Sequence, residues 1–266
     1  MPETAVSFGQ LLWGTLVLRP YVFIFLSVYL WLATWHLGLG RTLIYLLGGY
    51  GLALLSEVSS INTGFPYGAY FYIPATQGQE LWVLGVPFMD SLSYVFLSYS
   101  SYSLALLLMA ARNGANGEEA GAPAGKACLA TVILAAVLFV SLDIIIDPLA
   151  LRGYRWFLGQ IYGYPEPGIY FGIPLSNFAG WLLVGIVMIA LLQRLDFWLP
   201  KADWLVWGQR RFAGAAYLGA SLYVGVLLFN LSLTFFIGET LLGLVGVFIY
   251  LPLATLAGAY WLSSKC

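Results

Sequence analysis

Residues 129–150 read LATVILAAVLFVSLDIIIDPLA. At 1.5 Å per residue this run is long enough, as a helix, to cross a hydrocarbon core of roughly 30 Å. Its first half is almost wholly apolar, yet it ends on two carboxylates four residues apart, Asp143 and Asp147, which a helix presents on one face. Pro148 is expected to end that helix or kink it. A carboxylate at the centre of a bilayer costs roughly 2.5–3.5 kcal/mol on insertion scales, and less near the interface. Two on one face point to a use, against the plainer alternative that both sit at headgroup level and are merely solvated or capping.

The rest of the chain is of the same kind. Of 266 residues, 61% are hydrophobic and 9% charged, where a soluble domain carries about a quarter charged residues. Mean hydropathy is +0.87. The fold class expected is an all-α polytopic membrane protein, with residues 1–266 as a single transmembrane domain. The net charge of −1 gives no reason to expect a nucleic-acid partner. Two cysteines, Cys128 and Cys266, make neither a disulfide framework nor a CxxC metal site. The N-terminal stretch lacks a basic region and a small-residue cleavage site, so it does not read as a cleaved signal peptide.

About seven spans are expected, at 21–37, 42–59, 81–111, 128–147, 172–192, 212–236 and 240–262, after an interfacial lead-in ending at Pro20. Residues 112–125 read as a flexible loop, and 193–211 as an aromatic connection lying in the interface. On this layout eight basic residues (Arg41, Arg112, Lys126, Arg194, Lys201, Arg210, Arg211, Lys265) share one face and three (Arg19, Arg152, Arg155) the other. The positive-inside rule puts the first face in the cytoplasm, the N-terminus outside and the C-terminus inside. The multi-pass protein is expected in the cell membrane of a bacterium or archaeon. The loops carrying TGFPYGAYFY (63–72) and YGYPEPGIYFG (162–172) then open on the opposite face with Glu57, Asp143 and Asp147.

An internal repeat is visible. LGVPFMDSLSY (84–94) resembles FGIPLSNFAGW (171–181), with Asp90 opposite Asn177. Glu57 lies 30 residues before Pro87 and Asp143 31 before Pro174. The pattern suggests a duplicated helix–loop–helix unit in parallel orientation.

Several chemistries lack their residues. The three lysines all fall at span ends or in loops, away from where a retinal Schiff base needs one. One histidine, His36, cannot build a histidine-rich di-iron site, and it reads as an interface residue. No glycine fingerprint follows a strand, and no Ser or Cys nucleophile has a histidine in a recognisable setting. What remains is a set of acids (Glu57, Asp90, Asp143, Asp147, Glu239) among aromatics: Tyr67, Tyr70, Tyr72, Trp156, Tyr162, Tyr164, Tyr170, Phe178 and Trp181. A carboxylic acid kept neutral by an apolar site can protonate an alkene, and aromatic faces stabilise the cation formed. Asp90 and Glu239 read more simply as acids at helix N-termini, facing the helix dipole. Asn177 could orient a water or cap its span, and most aromatics taken singly fit an interfacial belt.

TGFPYGAYFY, LGVP, LDIIIDPLA and above all GIYFGIPLSNFAGW resemble the CruF-type integral-membrane carotenoid biosynthesis proteins, over about residues 57–181. The resemblance implies cofactor-free addition of water across the terminal C1=C2 bond of an acyclic ψ end group, giving a tertiary alcohol. It implies a carotenoid substrate, surrounding membrane lipid and other carotenoid-pathway enzymes as partners. Carried over by position, it selects Glu57, Gly64, Tyr67, Gly68, Tyr70 and Tyr72, then Asp143, Asp147 and Pro148, then Gly172, Pro174, Asn177, Phe178 and Trp181. The 88–91 stretch departs from it, because apolar residues are expected where Asp90 stands. The catalytic set expected is Asp147, Asp143, Glu57 and Asn177, with Asp147 the first choice as proton donor. The substrate walls expected are Tyr67, Tyr70, Tyr72, Trp156, Phe178 and Trp181. Two readings compete: an acid-catalysed end-group cyclase, and a non-enzymatic isoprenoid transporter or binding protein.

Overall fold

The structure, a computed structural model, describes residues 6–112, 128–197, 202–210 and 214–263. The expected loop at 113–125 and Lys126, Lys201, Arg211, Lys265 and Cys266 lie outside the described residues. Nine α-helices appear among those described: α1 (Phe8–Leu18), α2 (Pro20–Leu37), α3 (Leu39–Thr63), α4 (Phe88–Arg112), α5 (Leu129–Leu151), α6 (Leu175–Phe197), α7 (Asp203–Val206), α8 (Gly219–Phe236) and α9 (Thr240–Ser263). Six of them, α2, α3, α4, α5, α6 and the stretch through α8, are long and apolar enough to cross a membrane. The chain is a multi-pass helical membrane protein. The seventh expected span coincides with α9, a helix of 24 residues whose described apolar part is Thr240–Pro252.

Several helix boundaries have a local cause. Ser7 caps α1 in a capping box with Gln10. Pro20 opens α2, where its missing N–H costs nothing. Gly38, at φ +92°, breaks α2 from α3 in a single residue, which leaves the helix start at Leu39, three residues before the sequence places it. Pro148 neither ends nor stops α5, which runs on to Leu151. The proline takes its own N–H out of the ladder with only three helical residues left to follow, and Arg152 Nη1 donates to the Pro148 carbonyl at 2.8 Å.

Helix α4 is the centre of the bundle. Its spanning window is 78% buried, against 50% or less in every other span, and α2, α3, α5, α6 and α8 all pack on it. The sequence allows this because SLSYVFLSYSSYS supplies small residues for close approach. Several of their hydroxyls bond back along the same helix: Ser98 Oγ donates to Tyr94 O at 2.6 Å and Ser101 Oγ to Leu97 O at 2.8 Å. Tyr45, Tyr99, Tyr102 and Phe139 fill the interior.

The two ends of the bundle differ. At one, His36 is buried, its Nε2 3.4 Å from the Asp196 carboxylate, to which the Tyr102 hydroxyl also donates at 3.1 Å. His36 is thus an interior residue and not the interface residue its position suggests. The 202–210 stretch packs back here: Gln209 Nε2 donates to His36 O and Arg210 N to Trp35 O. The other end carries two long loops, 64–87 and 152–174, which fold over the bundle and hold the candidate site.

Candidate functional site

The two loops end in the same device. Strands β2 (Trp82–Val83) and β3 (Val86–Pro87) pair across a two-residue turn at Leu84 and Gly85. Tyr170 and Ile173 bridge across a two-residue turn at Phe171 and Gly172. Leu84 and Phe171 have φ of 52° and 51°, Gly85 and Gly172 of 85° and 95°. Left-handed φ at both central residues is the type I′ hairpin turn, and glycine at the second position meets it without strain. A proline closes each hairpin, and a spanning helix follows at once, α4 after Pro87 and α6 after Pro174. The repeat seen in the sequence is therefore also a repeat of backbone conformation. The loops join through β1 (Phe71–Tyr72) and β4 (Tyr162–Gly163), which pair antiparallel.

Ion pairs pin these loops to the helices. Arg19, at the α1–α2 junction, donates to Glu80 through Nε (3.0 Å) and Nη2 (2.7 Å), and through Nη1 to the Leu158 carbonyl at 2.5 Å. The two charged side chains are 1% and 0% exposed. Arg152 Nε lies 3.1 Å from Glu239, which also pairs with Arg155. Glu239 thus serves the turn between α8 and α9 and stays off the cavity described next.

Beneath the loops lies a cavity of about 100 Å³, walled by α2, α3, α4, α5, α6, α8 and both loops. One water needs roughly 10–15 Å³ measured the same way, so the space takes several waters or the end of an apolar chain. Glu57, Asp90 and Asp147 all face it, with Asn177 and Asn230. Of the expected wall residues, Tyr67, Tyr70, Tyr72, Trp156 and Trp181 line it. Phe178 does not: Asn177 and Trp181 are four residues apart on α6 and share a face, which turns Phe178 away, edge-on against Tyr170 at 5.5 Å. Asp143 stands one helical turn behind Asp147, fully buried and off the cavity surface.

The acids form two units. In the first, the Tyr72 hydroxyl lies 2.7 Å from Glu57 Oε2 and 2.5 Å from Asp90 Oδ2. Ser91 Oγ is 3.4 Å from Glu57, and the Tyr94 hydroxyl is also within its reach. In the second, Asn177 Nδ2 donates to Asp143 Oδ2 at 3.1 Å and Asp147 Oδ2 at 2.5 Å, while Tyr162 donates to the Asp147 carbonyl at 2.9 Å. Asp90 and Asn177, three residues after their prolines, hold the same position in the two halves.

The aromatic walls are continuous. Tyr70 contacts Tyr67, Tyr72, Tyr162 and Tyr164, with ring centroids 5.4–6.4 Å apart. Tyr67 donates to or accepts from Ser56 at 2.8 Å. It packs so closely under α6 that Gly180 has no room for a side chain. Trp156 is anchored by its Nε1 donating to Leu149 O at 3.1 Å. Burial, and then the nearby carboxylates, push the hydroxyls of the loop tyrosines Tyr70, Tyr72, Tyr162 and Tyr164 well above the ordinary tyrosine range, so they remain donors at neutral pH.

Among the cavity residues that the expected catalytic and wall sets leave out are Asn230, Asp90, Tyr94, Tyr162 and Tyr164. The repeat held the signal for two of them, since Asp90 stands opposite Asn177 and Tyr94 opposite Trp181. Tyr162 and Tyr164 were visible only as members of an aromatic loop.

The model of a family described as "Carotenoid biosynthesis protein" matches residues 15–252. The chain is 32% identical over 165 residues to the bisanhydrobacterioruberin hydratase of Haloarcula japonica. That match covers 57% of this chain and 46% of the relative, so the chain spans about half the length of the curated relative it matches. No solved structure matches. With its family model matched over nearly the whole chain, this protein belongs to the carotenoid biosynthesis protein family.

Proposed function

We propose that the protein is a carotenoid hydratase that adds water to the terminal C1=C2 double bond of an acyclic end group. The observation that carries this reading is one cavity, at one end of a membrane bundle, which joins carboxyls from both repeat halves to an aromatic wall. A carboxylic acid gives a proton to C2 and leaves a tertiary cation at C1. The rings of Tyr94, Trp181 and the loop tyrosines line the cavity and favour a cation held among them, water bonds to C1, and its spare proton passes to a carboxylate. Alkene and water are the only reactants, so the balance needs no cofactor. The family match and the distant hydratase relative support the same reading.

The substrate is membrane-dissolved, and its end group reaches the acids from within the bilayer. The membrane is the cell membrane, with the loop-bearing end on the non-cytoplasmic face, as the basic residues argue. Enzymes that make or further modify the same carotenoid are the natural partners.

Expression in a lycopene-producing host tests the proposal. The hydratase reading expects a more polar pigment heavier than lycopene by one water. A product of unchanged mass with ring end groups would instead make the protein a cyclase. Unaltered lycopene co-purifying with the protein would make it a binding or transport protein.

A further inference from the structure

We propose that Glu57 and Asp90, bridged by Tyr72, are the proton-donating unit of this cavity, and that Asp147, held by Asn177, is the carboxylate that positions the water. The inference rests on the hydratase reading and divides its two tasks between the two halves of the repeat. The sequence alone favours Asp147 as the donor; the hydrogen-bond geometry favours the other unit.

The number of hydrogens available at Tyr72 decides the protonation of this unit. The Tyr72 oxygen lies 2.7 Å from one carboxyl oxygen and 2.5 Å from the other. A phenol has one hydrogen and donates it to one of them. The remaining contact, at true hydrogen-bond length, is attractive only if that carboxyl donates to the phenol oxygen. Two bare carboxylates would leave one short contact between oxygens with no hydrogen in it. The Glu57–Tyr72–Asp90 trio therefore stores a proton on a carboxyl, and it does so on the cavity surface.

The second unit needs no such proton to satisfy its bridge. The Asn177 amide has two hydrogens, and they serve Asp143 and Asp147 at 3.1 and 2.5 Å. Asp143 is fully buried, and no N–H or hydroxyl donor among the described residues reaches its Oδ1. A charge with an unpaired oxygen is the costlier state in such a place, so Asp143 is the neutral member. It lies within hydrogen-bonding reach of Asp147. Asp147 faces the cavity with two donors behind it, the arrangement of a carboxylate that accepts from a water in front.

The step balances. The carboxyl proton of the Glu57–Asp90 unit forms the new C–H bond at C2 as the C1=C2 π pair is used. Water held at Asp147 forms the C–O bond at C1 and gives its second proton to Asp147. Transfer of that proton through cavity water back to the Glu57–Asp90 unit restores both units, and no electron changes hands. Asp90 and Tyr72 thereby join the reaction, Asp90 as a donor group and Tyr72 as a positioning residue.

Membrane vesicles holding the full chain, given unlabelled lycopene in deuterated water, separate the two tasks. In Asp147→Asn the cation still forms and collapses back. Hydrated product is expected to fall about 10²-fold, the scale of general acid–base catalysis, while recovered lycopene gains deuterium at its end groups. In Glu57→Gln/Asp90→Asn, product and deuterium uptake are expected to disappear together, and in Tyr72→Phe, which keeps the ring, to fall in step. Should the double variant fail to reach the membrane, Asp90→Asn alone gives the same comparison. Deuterium uptake that survives in the Glu57 and Asp90 variants but vanishes in Asp147→Asn overturns the assignment. A wild-type chain that neither hydrates lycopene nor exchanges deuterium overturns the hydratase reading itself.

Discussion

Tyr94 and Trp181 stack face to face across the middle of the site, with ring centroids 4.4 Å apart and planes 18° from parallel. Each stands seven residues after the proline that closes its hairpin, so the same position in the two halves of the repeat meets itself here. Phe139 packs on Trp181 at 4.8 Å and Tyr67 on both rings at 6.3–6.4 Å. The stack locks α4 to α6 and forms the cavity wall between the two acid units.

Removing the larger ring should therefore affect both stability and activity. Trp181→Ala is expected to cost about 3–5 kcal/mol, the range for emptying a large aromatic site in a core. Trp181→Phe should retain most of the packing and measurable hydration. Thermal unfolding in detergent beside product analysis checks this. Normal stability in Trp181→Ala would mean that the ring does not hold the helices.

Arg19 and Glu80 make a second, electrostatic test. Both side chains are buried, and a buried charge left without its partner costs about 3–5 kcal/mol. Glu80→Gln or Arg19→Met alone should strongly destabilise the loop end, whereas Arg19→Met with Glu80→Leu should recover much of the loss. Limited proteolysis in the 64–87 loop gives the readout, and additive losses in the double variant would contradict the pairing.

Alkaline stability follows from the loop tyrosines. Their folded values are raised above the ordinary 10.0 by burial. The folded state then holds more protons than the unfolded state once pH passes 10, and stability falls as pH rises. Below 10 both states are protonated and the contribution is constant. The unfolding midpoint of the detergent-solubilised protein should stay level, as far as these groups go, up to about pH 10 and decline beyond it. Replacing Tyr70 and Tyr164 by Phe should flatten that decline. An unchanged slope would show that other groups set it.

How much of this was legible beforehand depends on the length scale of the signal. The spans are visible because twenty apolar residues have few alternatives, and Glu57, Asp147 and Asn177, which line the cavity, stand out as carboxylates and an amide in such runs. Asp90 was equally visible but had a simpler explanation at a helix N-terminus. Its real partner, Tyr72, is brought to it by a loop whose path no periodicity reveals. Helix α4 begins at Phe88, not near residue 81, because 82–87 are spent on a hairpin whose signal is two residues, Leu84 and Gly85. Phe178 belongs to the motif that carries the resemblance, yet one residue of helical phase, about 100°, sets it off the cavity.

Sidedness can be read with reporter fusions. The basic residues predict cytoplasm for a reporter at Gly117 and the opposite face for one at Gly78, an exposed residue of the first loop. A reporter after Cys266 should also report cytoplasm, because α9 then completes a seventh crossing. The reverse signal at Gly117 and Gly78 would invert the orientation, and a non-cytoplasmic C-terminus with those two as expected would leave six crossings.

The central claim is that water itself is the reactant. Membranes containing the protein, supplied with lycopene under nitrogen in water labelled with heavy oxygen, test it most directly. The account predicts a tertiary alcohol at C1 that carries the heavy label and forms without oxygen gas. An alcohol that appears only in air and draws its oxygen from the gas would contradict it, as would a product isomeric with lycopene.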